Sequence, residues 1–303
     1  MKYIILLLLL LLLIFKILNK VESFNNKYNF EDSIKNYSSN NLISRIVKIT
    51  RNDYYEKNKF IPKGNIIHIL KKNLVFFIDN DLNKLNKKIK LNILDHPFRS
   101  TDKSVYNYKD FLYNKNILEV KCEDWGDKLN KKLQIIPIGF DSKSFINGLQ
   151  KKMIQISKSQ KTINNKPLKI LCNAHLSKYK KPISGNYNQR QELFDKLKNN
   201  KLVDFWREKK NIVEMWRLHD NYSFELCPEG NGLDTHRFYE ALYLNTIPIV
   251  KKNSLESMYK KFPCIIVNDW KDITEKNLKE WKKQLAKRVE NEKYKLRKDY
   301  WLD

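Results

Sequence analysis

Beyond residue 60 the chain alternates short apolar runs with polar stretches. Asn65–Leu70, Leu74–Ile78, Leu91–Leu94, Ile117–Lys121 and Leu133–Ile138 have the length and Ile/Leu/Val content of buried strands. A hydrophilic span rich in Lys, Ser and Asn then runs to Lys166 and marks a boundary between two halves. The pattern restarts with a strand at Leu168–Cys172 and a helix over Gln189–Lys198, where Leu193 and Leu197 recur at i, i+4. Strand Tyr222–Leu226, helix Thr235–Leu244 and strands Ile247–Val250 and Cys264–Val267 follow. A closing helix spans Thr274 to Arg297, with Leu278, Trp281, Leu285 and Val289 on one face. Strands alternating with helices imply parallel βαβ units. The expectation is an α/β protein with two doubly wound domains facing across a cleft, at 61–160 and 161–303. A polar, Asn-rich stem at 22–60 precedes them.

The extreme N-terminus has no such alternation. Tyr3–Phe15 is uncharged, contains Leu6–Leu13 as an unbroken leucine run, and is flanked by Lys2 and Lys16. Extended to Leu18 as a helix it is about 24 Å long, against a hydrocarbon core of roughly 30 Å. Lys16 can snorkel, so a thin membrane accommodates it. Cleavage as a signal peptide needs small residues before the cut, and Lys16–Phe24 offers only Ser23. The reading is a single-pass signal anchor within 1–21, with the body in a secretory lumen. Lysines on both flanks leave orientation open.

Composition changes this picture little. With 59 Lys+Arg against 34 Asp+Glu the formal net charge is +25, which raises nucleic acid or anionic lipid as a partner. The basic residues are mostly scattered lysines rather than arginines and aromatics on one face. A solvated basic surface accounts for that, and argues against nucleic acid. Cys122, Cys172, Cys227 and Cys264 lack C-x-x-C spacing, so buried free thiols are expected rather than zinc or redox chemistry. Asn36-Tyr37-Ser38 and Asn221-Tyr222-Ser223 are glycosylation sequons, the second opening an expected buried strand.

The informative stretch is Tyr222–Val250. A strand ends at Cys227-Pro228, Gly230-Asn231-Gly232 forms a turn, Asp234 stands where an N-cap belongs, and a helix begins. A strand, a glycine turn and a helix N-terminus together make an anion site of free N–H groups and helix dipole. Phe238, Ala241 and Leu242 make the helix's apolar face, leaving His236, Arg237 and Glu240 toward the ligand side. Arg237 suits a diphosphate, and Glu240 suits the two ribose hydroxyls.

This segment resembles the nucleotide-sugar-binding motif of exostosin-like, GT-B-type glycosyltransferases. The residues carrying the likeness are Pro228, Gly230, Asn231, Gly232, Asp234, His236, Arg237, Glu240, Ala241 and Leu242, then Ile247-Pro248-Ile249-Val250. It continues through Leu255, Tyr259, Pro263, Asp269-Trp270 and Ile273-Thr274, and upstream through Ile136–Gly139 and, loosely, Asn188 and Arg190. Asn245 stands where the family usually has glycine. The resemblance implies two facing Rossmann-like domains, the second holding a nucleotide-sugar donor and the first a glycan or glycoprotein acceptor. It implies that Arg237 and Arg190 stabilise the leaving diphosphate in place of a metal, so no cofactor is expected. For an inverting reaction it implies an acceptor-side base, with Asp95, His96 and Asp102 as candidates.

Three other readings stand beside it. Asp79-Asn80-Asp81 after the apolar run Leu74–Ile78 has the form of a D-x-D metal site. The charge suits a membrane-tethered binding module for nucleic acid or anionic lipid. A non-catalytic, sugar-binding descendant of the family is the third.

Overall fold

Parallel strands cannot be joined by a tight turn, and the body is built accordingly, as strand–crossover–strand units. The computed structural model describes residue 55 and residues 64–94, 109–123, 131–141, 149–174, 187–206, 210–230, 232–297 and 299–302. The N-terminal segment, the stem residues before 55 and the sequon at Asn36 lie outside them. No helix among the described residues is long and apolar enough to cross a membrane.

The first sheet has strands β1 (Ile66–Leu70), β2 (Ile89–Leu94), β3 (Ile117–Glu123) and β4 (Leu133–Ile136), all parallel and in sequential order. Helix α1 (Lys71–Asn80) makes the crossover from β1 to β2 and packs on both, with Leu74 and Phe77 buried. The apolar run Leu74–Ile78 is therefore helix, not strand. A short apolar run fits either period, and the need for a crossover between β1 and β2 decides it.

The chain leaves β4 through Pro137–Phe140, where Gly139 has φ 70°, a left-handed conformation that favours glycine. Helix α2 (Leu149–Ser159) follows, inside the hydrophilic span read as the boundary between the halves; Met153 and Ile156 are its buried apolar positions. It packs against α4 (Ile212–Leu218) of the second half, and Ser157 Oγ donates to the Tyr243 carbonyl at 2.9 Å.

The second sheet comprises β5 (Ile170–Cys172), β6 (Val203–Phe205), β7 (Phe224–Leu226), β8 (Ile247–Lys251) and β9 (Ile265–Val267), all parallel. Its spatial order is β6-β5-β7-β8-β9. Helix α3 (Tyr187–Leu197) joins β5 to β6, α4 joins β6 to β7, α5 (His236–Tyr243) joins β7 to β8, and α6 (Glu256–Tyr259) joins β8 to β9. Helix α7 (Glu275–Asn291) closes the half with Leu278, Leu285 and Val289 buried, and α8 (Asp299–Leu302) ends it. The order reverses between β5 and β7, the crevice at which open α/β sheets bind ligands. No reversal occurs among the described strands of the first sheet.

Both sheets belong to one compact unit, Leu42–Asp303. The cysteines are free thiols, with Cys122, Cys172 and Cys227 buried and Cys264 partly so. Asn221 is exposed, but Ser223 of that sequon is fully buried, donating to the Pro167 carbonyl at 2.7 Å.

Candidate functional site

Two loops meet at the switch point of the second sheet. One begins at Asn173 after β5; the other is the segment after β7, Cys227-Pro228-Glu229-Gly230. Gly230 N–H donates to the Gly232 carbonyl at 2.9 Å, and Asn231 between them lies outside the described residues. Cys172 ends β5 and Cys227 directly follows β7, and burial keeps both thiols protonated, Cys172 pushed up to about 11.

Two arginines cross this switch point in opposite directions. Arg190 stands on α3, the helix after β5, yet its Nε donates to the Glu229 carbonyl after β7 at 2.8 Å. Arg237 stands in the first turn of α5, the helix after β7, yet its Nε donates to Asn173 Oδ1 after β5. A Cβ on Gly230 would lie 2.8 Å from an Nη nitrogen of Arg190, so glycine here makes room for a guanidinium. The sequence pattern assigned that freedom to a phosphate. Gln189 Oε1 accepts from the Glu229 N–H at 3.1 Å, and Glu229 Oε1 accepts from Asn253 Nδ2 at 3.0 Å. Asn173, Gln189 and Glu229 were not legible beforehand: each is a common residue type beside a strand or helix end.

Glu240 lies one turn beyond Arg237. Burial and the Glu225 carboxylate nearby push its carboxyl up to about 7, with His219 and Arg237 opposing. Phe238, Ala241 and Leu242 form the buried face of α5, and Tyr239 joins them.

Asp234 and His236 both make contacts with the segment leaving the first sheet. The N-cap of α5 is Thr235, not Asp234, and its hydroxyl makes no capping bond. Asp234 is buried; it accepts from the Ile138 N–H at 3.1 Å, from its neighbour Thr235 N–H at 2.8 Å, and from the Tyr239 hydroxyl. Burial pushes its carboxyl up to about 6, against the pull of those donors. His236 Nδ1 donates to the Gly139 carbonyl at 2.6 Å. Together these side chains pin the start of α5 to Pro137–Phe140, the segment leaving the first sheet.

The acceptor-side candidates Asp95, His96 and Asp102 lie outside the described residues. The D-x-D reading loses its context. Asp79 and Asn80 finish helix α1, Asn80 Nδ2 donates to the Phe76 carbonyl at 3.0 Å, and Asp81 Oδ2 accepts from the Tyr55 hydroxyl at 2.6 Å. Among the described residues no group of three or more His, Cys, Asp or Glu is placed to hold a metal ion. No protein-family model matches the chain, and no curated protein is significantly similar to it.

Proposed function

We propose that this chain is a glycosyltransferase of the exostosin-like, GT-B type, moving a sugar from a nucleotide-sugar to a hydroxyl of a glycan or glycoprotein. The observation that carries the reading is the crossing of Arg190 and Arg237 over the switch point beside the Gly230 turn and the start of α5. Two cations, a glycine turn and a helix N-terminus converge where parallel sheets take phosphorylated ligands.

In this reading the two guanidiniums neutralise the diphosphate as it departs, a charge that grows along the reaction and is stabilised most at its transition state. Glu240 accepts hydrogen bonds from the ribose. A base in the first half, among Asp95, His96 and Asp102, takes the proton of the acceptor hydroxyl, giving inversion at the sugar carbon. The N-terminal hydrophobic segment holds the enzyme on a secretory membrane, and no metal takes part.

Calorimetry of the full-length chain in detergent with UDP and GDP, with and without EDTA, tests this. Micromolar binding that survives EDTA and disappears in Arg237→Ala is the expected result. Absence of binding to either nucleotide, with salt-dependent binding to RNA or anionic vesicles instead, sinks the enzyme reading.

A further inference from the structure

Glu225 is the middle residue of β7, is fully buried, and takes no part in the donor contacts proposed above. A carboxylate out of water is costly unless its oxygens are compensated. Oε2 lies 2.8 Å from His219 Nε2. The other ring nitrogen, Nδ1, lies 3.0 Å from the Met215 carbonyl and 3.2 Å from that of Trp216. Carbonyls only accept, so Nδ1 carries a hydrogen, and a further proton occupies the Nε2–Oε2 contact. His219 is itself 1% exposed, so this contact is closed to solvent.

The second oxygen, Oε1, makes no hydrogen bond and stands 3.4 Å from Arg237 Nε. That Nε–H is given to Asn173 Oδ1. One edge of the guanidinium is therefore faced by a buried carboxylate and an amide oxygen. The two Nη nitrogens make no hydrogen bond to another described residue. A guanidinium is planar, so fixing its Nε edge fixes the direction of both Nη groups.

We propose that Glu225, seated by His219, is a positioning residue for Arg237: together with Asn173 it holds the guanidinium by its Nε edge, so that both Nη groups are presented to the diphosphate of the nucleotide. The inference rests on the nucleotide-sugar reading of this site and names what orients its arginine. A purely structural ion pair between β7 and α5 would also stabilise the fold, but it would not couple to ligand affinity through Arg237.

The test is a double-mutant cycle on the full-length chain, with UDP and GDP as probes and calorimetry as readout. Arg237→Lys keeps the positive charge and removes the Nε–H. Glu225→Gln is expected to weaken nucleotide binding about tenfold in the wild-type background, and to add nothing further in Arg237→Lys. Asn173→Ala, at a half-buried position, should repeat the pattern and stands in if Glu225→Gln does not fold. In parallel, an arginine Nε–H resonance that is slow to exchange, assigned by its loss in Arg237→Lys, is expected to exchange faster in Glu225→Gln or Asn173→Ala. Equal affinity of Glu225→Gln and wild type, or an equal loss in both backgrounds, overturns the proposal. If the wild type binds neither nucleotide, the glycosyltransferase reading fails. The exchange measurement still decides separately whether Glu225 and Asn173 hold Arg237.

Discussion

Gly230 and Glu240 show how single atoms set the character of the switch-point loop. Gly230→Ala puts a methyl 2.8 Å from an Arg190 Nη, and that side chain's flexible end can swing away. The expected outcome is a fold within about 0.5 kcal/mol of wild type by denaturant titration and, on the nucleotide-sugar reading, a several-fold loss of UDP or GDP affinity, because the displaced Arg190 would leave the diphosphate. Glu240 makes the site sensitive to pH. Its carboxyl rises from 4.5 to about 7 in the folded protein, so over that window the folded state holds more protons than the unfolded one. Its contribution to stability is full below 4.5 and is lost as pH rises through about 7. On the nucleotide-sugar reading, ligand binding runs the other way, since an ionised carboxylate would accept both ribose hydroxyls. Nucleotide affinity should increase through a midpoint of about 7, and Glu240→Gln should remove that step from the calorimetric pH profile. Arg237 and Glu240 were legible as a pair because their spacing puts both in the opening turns of one helix. Glu225 was not, because a carboxylate inside an apolar strand acquires its partners from two other elements.

At the scale of elements, the end of α5 is held by unusual means. Asn245 takes φ 54°, the left-handed turn that glycine usually provides, and asparagine is the side chain that tolerates it best. Beyond it Lys166, only 2% exposed, donates to the Leu244 carbonyl at 2.8 Å, to Gln160 Oε1 at 3.0 Å and to Thr246 Oγ1 at 3.3 Å. Burial lowers its ammonium from 10.5 to about 7. Between these values the unfolded chain binds more protons than the folded one, so stability from this group rises with pH across that window. Lys166→Met strips the buried acceptors of their donor, at about 1–3 kcal/mol. Urea titrations should find the gap between wild type and Lys166→Met wider at pH about 9 than at about 6, since wild type alone gains from the deprotonation. The helices were the less legible elements. Leu74–Ile78 carries too few residues for its period to show, and α2 buries only scattered positions among lysines and serines.

For the whole molecule, the decisive contacts join segments far apart in sequence. Trp301 of α8 stacks on Phe262 with ring centroids 5.4 Å apart, while its carbonyl accepts from Lys121 Nζ on β3 at 3.0 Å. Lys261 Nζ lies 4.9 Å from the Trp301 ring centroid. The end of the chain thus ties the first sheet to the α6–β9 connection, alongside the Asp234 and His236 bonds to Pro137–Phe140. Trp301→Ala removes a side chain 2% exposed, and a loss of about 3–5 kcal/mol is expected, read as a lower thermal midpoint. Apart from such lysines as Lys121, Lys166 and Lys261, the basic excess adds little to this architecture. Many ion pairs are exposed pairs along a helix, such as Lys279 with Glu275 at 2.7 Å, each worth a few tenths of a kcal/mol.

By itself the sequence determined the α/β class, the positions of most strands, the strand–turn–helix at 222–244 and the arginine and glutamate it carries. Those follow from periodicity, glycine placement and helical spacing, which are local properties of the chain. Only the tertiary structure decided the β6-β5-β7-β8-β9 order, and with it the switch point between β5 and β7. The same holds for the crossing of Arg190 and Arg237, the burial of Glu225 against His219, and the duty of Asp234 toward Ile138. Each of these depends on which strands become neighbours, and pairing is set by long-range burial that no short window of sequence contains.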